Sequence, residues 1–215
     1  MSRKTHGVLW DMDGVLVDTG EAHFESWREV LAERGASFSP EDFQRTFGMN
    51  NAGLLKLLFD EELSVEEVQT ISDRKEIMFR ELVKGKARPL PGVLEWLARL
   101  RNMGIRQAIA SSAPPENIDV LVDEVGMRDY FEAIVSGFSL PGKPNPDVFL
   151  EAARQIGVSP AECVVVEDAI AGVQAARNAG MRCIAVTTTN RADRLTAADI
   201  VVDGLDELSE DDFLH

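Results

Sequence analysis

Apolar residues along the chain fall into short runs, separated by longer stretches with helical spacing. Gly7–Trp10 (GVLW), Ile105–Ser111 (IRQAIAS), Glu132–Ser136 (EAIVS), Cys163–Asp168 (CVVVED), Arg182–Thr187 (RCIAVT) and Asp199–Asp203 (DIVVD) read as six strands. Several are continuously apolar rather than alternating, as in strands of a parallel sheet covered by helices on both faces. Between them, Val93, Leu94, Leu97 and Leu100 repeat at helical spacing up to Gly104. The segment NPDVFLEAARQIG offers Asn145 as N-cap, Pro146 at the first helical position and Gly157 past the end. A further helical segment, AIAGVQAARNAG, follows the fourth strand directly. Strand–helix–strand repetition predicts right-handed crossovers and an open α/β sheet.

One region breaks this rhythm. From Thr19 to Gly85 there is no strand signal, only helix signals: HFESWREVLAERG, a start at Ser39-Pro40-Glu41, NAGLLKLLFDEEL, and a longer segment opened by a Ser64/Glu67 capping box. Phe24 and Trp27 read as the core of this insert. The chain leaves the sheet near residue 18 and returns near 87 through KGKARPLPG. The division is therefore 1–18 with 87–215 as an α/β core and 19–86 as a small all-helical cap. Two connections form a hinge on which the insert can move as a lid.

The 215 residues carry 37 acidic against 22 basic side chains, a net charge of −15. No basic run overrides it, which excludes nucleic acid and anionic membrane as partners. An anionic ligand must instead be held by a local metal, one or two lysines, or helix N-termini. The two cysteines, Cys163 and Cys183, sit in strand-like runs and read as small core residues. The N-terminal apolar run is too short for a signal peptide, and no stretch of 18 apolar residues exists to span a membrane, so the expected location is the cytoplasm.

Ligands of an open parallel sheet bind beyond the carboxyl ends of its strands. Those ends carry Asp11 and Asp13, then Ser111 and Ser112, then Lys143 in the loop after the third strand, then Glu167 and Asp168. The carboxylates of Asp11, Glu167 and Asp168 repel one another in a partly dry site, and a hard cation resolves the conflict. An oxygen-only set without Cys or His points to Mg²⁺. Lys143, with the metal, neutralises a phosphate and an attacking carboxylate. Ser111 offers a hydroxyl. Ser112 precedes the helix start Pro114-Pro115-Glu116, and Gly14 permits a tight turn, so backbone N–H groups at both places are expected to aim inward.

The segments DMDGVLVDT, IASSA, GKPNPDVF and VVVEDAIAGVQAA resemble, in order, the four motifs of the haloacid dehalogenase superfamily. The resemblance covers nearly the whole chain and is nearest to the β-phosphoglucomutase-like phosphatases, in which a helical cap follows the first motif. It implies a Rossmann-like core and an aspartyl-phosphate mechanism. Asp11 is then the nucleophile, and Asp13 the acid that protonates the leaving oxygen and later activates water. Mg²⁺ is held by the Asp11 side chain, the Asp13 backbone carbonyl and Asp168, with Glu167 as ligand or supporting partner. Ser111 and Lys143 bind the transferring phosphoryl group. Asp18 frames the exit into the cap.

The resemblance also implies substrate contacts in the cap. Gly48 to Asn51 reads as a substrate-touching loop, His23 as a residue near the domain interface and Lys75 as a cation, although a surface or packing role is commoner for His23 and Lys75. An arginine commonly follows the glycine in the sugar-phosphate mutases of this family, where Asn50 and Asn51 stand here. That departure favours a phosphatase of a small phosphorylated metabolite over a mutase. Asp13 disfavours a dehalogenase, and the insert disfavours a phospho-acceptor signalling domain. A monomer or weak homodimer is expected.

Overall fold

The computed structural model describes residues 6–46, 49–59 and 63–214. The chain divides into two compact units, residues 1–18 with 87–215 and residues 19–86. In the first unit the elements run β1 (Gly7–Trp10), then, after the insert, α5 (Val93–Asn102), β2 (Arg106–Ser111), α6 (Pro115–Val125), β3 (Ala133–Ser136), α7 (Asp147–Ile156), β4 (Cys163–Glu167), α8 (Ile170–Asn178), β5 (Arg182–Val186), β6 (Ile200–Val202) and α9 (Glu210–Leu214). The insert holds α1 (Gly20–Ala32), α2 (Pro40–Thr46), α3 (Asn51–Leu58) and α4 (Val65–Val83). Each of the six expected strands forms, trimmed by a residue at some ends.

The sheet order is β3-β2-β1-β4-β5-β6, and every pairing is parallel. The connections therefore run outward in one direction up to β3 and in the other from β4 onward. The reversal falls between β1 and β4, whose carboxyl ends bound the crevice where such sheets bind ligands. Alternate residues of the central strands serve the two faces. Leu9, Ala108, Ala110, Val165, Cys183 and Ala185 pack with Val148, Phe149, Ala152 and Ile156 of α7 and Val173 and Ala176 of α8. On the other side Trp10 meets Phe213 at 6.2 Å between ring centroids, and Phe213 meets Trp96 at 4.7 Å. The Trp10 indole N–H donates to Gln107 Oε1 at 3.1 Å, so this large ring is buried without losing its polar partner. Both cysteines are free and buried, as their runs predict.

Where the chain leaves and re-enters this unit, the two passages pair. Val17 bridges Pro89 antiparallel, and the Leu90 N–H donates to the Leu16 carbonyl at 3.0 Å.

The helical unit has its own core of Trp27, Val30, Leu31, Phe38, Leu54, Leu55 and Ile71, with Phe24 and Phe43 packed against it. Its helix starts follow the sequence signals. The Ser64 hydroxyl caps α4 and Glu67 returns the bond, Ser39 and Asp42 do the same for α2, and the Asn50 side chain accepts from the Gly53 N–H at 2.8 Å to cap α3. Among the described residues no helix is long and apolar enough to cross a membrane.

Candidate active site at the carboxyl edge of the sheet

Parallel register brings four strand ends to one edge. Trp10 pairs with Val166, and the Asp11 N–H continues that ladder by donating to the Val166 carbonyl at 3.0 Å, so Asp11 stands beside Glu167. One carboxylate oxygen of Asp11, one of Glu167 and one of Asp168 lie within 4.8 Å of one another, and all three residues are buried. Lys143 reaches in from the loop after β3. Its Nζ donates to Asp11 Oδ1 at 2.6 Å and to Glu167 Oε1 at 2.5 Å, and lies 4.8 Å from the Phe149 ring centroid. Asp11, Glu167, Asp168 and Lys143, separated by up to 157 positions in sequence, thus form one charged cluster.

Each member of the cluster is aimed by a specific neighbour. Glu167 Oε2 accepts the backbone N–H groups of Asp168 at 2.8 Å and Ala169 at 2.7 Å, while Oε1 takes Lys143. Both oxygens of Glu167 are therefore engaged, and this residue orients the lysine and the following turn. Gly172 in the first turn of α8 makes room for it: a Cβ there would overlap the Glu167 carboxylate. The Asn145 amide, expected to cap α7, instead donates to the Gly142 carbonyl at 2.8 Å and braces the loop that carries Lys143. Pro146 takes the cap position of α7 without a side-chain bond. The expected Gly157 stop holds, at φ +66°.

At the two places where N–H groups are expected to aim inward, several of them are used locally. Gly14 makes the anticipated tight turn with φ +77°, but its N–H donates to the Val17 carbonyl at 2.9 Å, and those of Val15, Leu16 and Val17 go to Met12. At the start of α6 the Ala113 N–H goes to the Ser111 hydroxyl at 3.1 Å, and the Asn117 and Ile118 N–H groups go to the Pro114 carbonyl. Short local loops close these bonds more readily than they hold amides open. Ser111 is buried at the end of β2, paired in register with Ser136, and Ser112 beside it is exposed. Asp13 follows β1 and bridges Val17.

The cluster has one ammonium against three carboxylates. Burial pushes the Asp11 carboxyl up, Lys143 pulls it down, and the negative charges of Glu167 and Asp13 push it up again, to about 7. Asp168 is raised by burial and by Glu167 and Asp11, against a hydrogen bond from Thr189 that lowers it. Burial alone would lower Lys143, but Asp11 and Glu167 hold it charged well above the ordinary lysine range. The surplus negative charge, all of it on oxygen, fits a divalent cation. Lys143 and Thr189 take one oxygen each from Asp11 and Asp168, and neither bond claims Asp11 Oδ2 or Asp168 Oδ1.

A profile described as haloacid dehalogenase-like hydrolase matches residues 5–180, which contain every member of this cluster. The chain belongs to that family. This haloacid dehalogenase-like hydrolase is 39% identical over 195 residues to protein SUPPRESSOR OF QUENCHING 1, chloroplastic, of Arabidopsis thaliana; the match takes in 86% of the chain but only 18% of that much longer protein. It is 34% identical over 206 residues to the β-phosphoglucomutase of Bacillus subtilis (strain 168), covering 91% of the chain and 88% of the relative. It is 32% identical over 193 residues to fructose-1-phosphate phosphatase YqaB of Escherichia coli (strain K12), covering 86% and 98%. Among solved structures, a CbbY variant from Rhodobacter sphaeroides in complex with xylulose-(1,5)-bisphosphate superposes with a TM-score of 0.86 at 25% identity, over 95% of this chain and 96% of that one.

The residues expected to contact substrate from the insert behave as follows. Gly48 lies outside the described residues. Asn51 opens α3, and its amide donates to Glu76 Oε1 at 2.9 Å. Lys75, 2% exposed, donates from Nζ to Glu76 at 3.0 Å and lies 2.9 Å from His23 Nδ1. An ammonium has only N–H groups to offer, so Nδ1 is the acceptor and Nε2 carries the proton. The His23 ring stacks on Phe79 at 4.2 Å. The structure thus brings His23, Asn51 and Lys75 together. It adds Glu76, which the sequence reading did not select because nothing in its local pattern distinguishes it from other helix-surface glutamates. Burial raises the Glu76 carboxyl, yet Lys75 and the Asn51 bond outweigh it and hold the group below its ordinary value.

Also absent from the sequence reading is the segment after β5. The Thr188 hydroxyl donates to the Gly14 carbonyl at 2.5 Å, Thr189 to Asp168 Oδ2 at 2.5 Å, and the Asn190 amide to the Asp168 carbonyl at 3.1 Å.

Proposed function

We propose that the chain is a Mg²⁺-dependent phosphatase that hydrolyses a small phosphate monoester, a sugar phosphate or similar metabolite, through a phosphorylated Asp11. The observation that carries this reading is the contact of Lys143 with both Asp11 and Glu167 beside Asp168: a buried carboxylate aimed by a lysine, with surplus negative charge around it. Phosphoryl transfer needs a nucleophile in line and cations against the equatorial oxygens. Asp11 supplies the first, and Lys143 one of the second. Mg²⁺, held by Asp11, Asp168 and the Asp13 backbone carbonyl, would supply the remaining positive charge on the transferring group. Glu167 is assigned the support of this set rather than a primary ligand's role, since both its oxygens are engaged.

In the proposed sequence Asp11 attacks phosphorus and the alkoxide leaves with a proton from Asp13. The same Asp13 then takes a proton from the water that cleaves the acyl phosphate, which returns Asp11 to its starting state. Ser111 holds a phosphoryl oxygen. Ser112, Gly48, Asn51, His23 and Lys75 are assigned to substrate choice, and the helical unit to covering the substrate and excluding water. The cytoplasm is the assigned location.

A mutase reading is favoured by the Bacillus relative, and it requires a grip on a second phosphate. Asn50 and Asn51 stand where the mutases commonly have that arginine; the first caps α3 and the amide of the second is committed to Glu76, so hydrolysis is the preferred reading. Phosphate release from a panel of sugar, nucleotide and short-acid phosphates, with and without Mg²⁺, tests it. The expected result is metal-dependent release that Asp11→Asn abolishes while the circular dichroism spectrum stays unchanged. Full turnover by that variant would end the assignment, and conversion of β-glucose 1-phosphate to glucose 6-phosphate with little free phosphate would reverse the order of the two readings.

A further inference from the structure

We propose that Thr188, Thr189 and Asn190 form a clasp that positions Asp168 for the divalent cation, with the Thr189 hydroxyl as its working group. This rests on the metal reading above and goes beyond it, because the segment lies outside all four motifs.

Five hydrogen-bond contacts fix the clasp, the longest being Thr189 Oγ1 to the Asp168 carbonyl at 3.3 Å. Thr188 Oγ1 donates to the Gly14 carbonyl at 2.5 Å, Thr189 Oγ1 to Asp168 Oδ2 at 2.5 Å, and Asn190 Nδ2 to both the Asp168 carbonyl and Thr189 Oγ1, each at 3.1 Å. The polarity of this chain follows from what each acceptor can take. A backbone carbonyl only accepts, so the amide nitrogen of Asn190, not its oxygen, must face Asp168. Its second N–H then occupies a lone pair of the Thr189 oxygen, whose single proton goes to the nearer of two acceptors, Asp168 Oδ2 at 2.5 Å rather than the Asp168 carbonyl at 3.3 Å. The order Asn190 N–H, Thr189 O–H, Asp168 Oδ2 is therefore directional, and each bond polarises the next.

The geometry also interlocks three loops. At Gly14 the place of a Cβ is already filled by Asp168 Oδ2 and the Thr189 methyl. Thr188 ties the same segment back to that glycine. Asp168 is 2% exposed and stands beside two like charges, so repulsion alone would rotate its carboxylate away from Asp11 and Glu167. The clasp engages one carboxylate oxygen and leaves the other for the ion. Neighbouring groups that orient a ligand in this way commonly contribute about 10- to 100-fold in metal affinity.

The test measures ion binding directly, without substrate: Mn²⁺ by the electron paramagnetic resonance signal of the free ion, and Mg²⁺ by titration calorimetry. Thr189→Val keeps shape and removes the donor. Thr189 is exposed, so the change empties no core. The dissociation constant for Mn²⁺ is expected to rise roughly 10-fold or more, while Thr189→Ser stays close to wild type. Asn190→Ala, which frees the hydroxyl to turn elsewhere, is expected to weaken binding by a smaller factor, and it decides the matter alone should the valine variant not fold. Wild-type affinity in Thr189→Val, or equal losses in the valine and serine variants, would overturn the clasp while leaving the metal reading intact. Failure of the wild-type protein to bind either ion would overturn both.

Discussion

Lys143 settles the balance of charge in the site. It is the cation that touches both Asp11 and Glu167, and its charge is the largest influence holding the Asp11 carboxyl down. A shape-matched Lys143→Met therefore has two expected effects. The transferring group loses a cation, which typically lowers kcat by about 100- to 1,000-fold. Asp11 also loses its counter-charge, so the acidic limb of the kcat/KM profile moves to higher pH. Steady-state kinetics across pH check both. A kcat within a few-fold of wild type would show that the lysine is structural only. Alone, a lysine in a Pro/Gly loop reads equally well as a surface residue; Lys143 was legible because the strand-end carboxylates and the neighbouring motifs stand around it in order. Thr189 was not legible, since a threonine after a strand is ordinary and its partner lies 21 positions away.

At the scale of elements, β4 and α8 work as one unit. The turn between them is only Asp168-Ala169, and its two N–H groups are closed by Glu167 itself. This brings the helix so near the carboxylate that only glycine fits at position 172. Gly172→Ala forces either the helix or Glu167 to move. The expected result is a loss of about 1–3 kcal/mol by urea denaturation, with a fall in activity as Glu167 releases Lys143. Wild-type stability and activity together would show that the packing is looser than described. Periodicity located both elements, because a buried parallel strand and an amphipathic helix leave strong apolar patterns. It could not reveal Gly172, whose reason is a contact across a turn, nor could it place Asn145, where a good capping residue was drawn off by the Gly142 carbonyl.

For the whole molecule, the raised carboxyls make folding proton-linked. Asp11 has its ordinary value of 3.8 in the unfolded chain and about 7 in the folded one. Between these values the folded state holds a proton that the unfolded state has released. The stability this contributes is full below about pH 4 and is lost as the pH rises through about 7. Asp168 is displaced in the same direction. Surface carboxylates such as Glu151, held at about 2 by Arg154, act below that window. In chelator, the urea midpoint is expected to fall from pH 5 to pH 8, and Asp11→Asn to fall less; Mg²⁺ at pH 8 should restore the wild type. Parallel curves for the two proteins would place the linkage elsewhere.

The pairing of Leu16 and Val17 with Pro89 and Leu90 has a consequence of its own. The polypeptide departs toward the insert and comes back through a single antiparallel bridge, so the sheet unit holds the two passages adjacent. The insert's two ends are thus held side by side by residues of the sheet unit itself, whatever sequence lies between them.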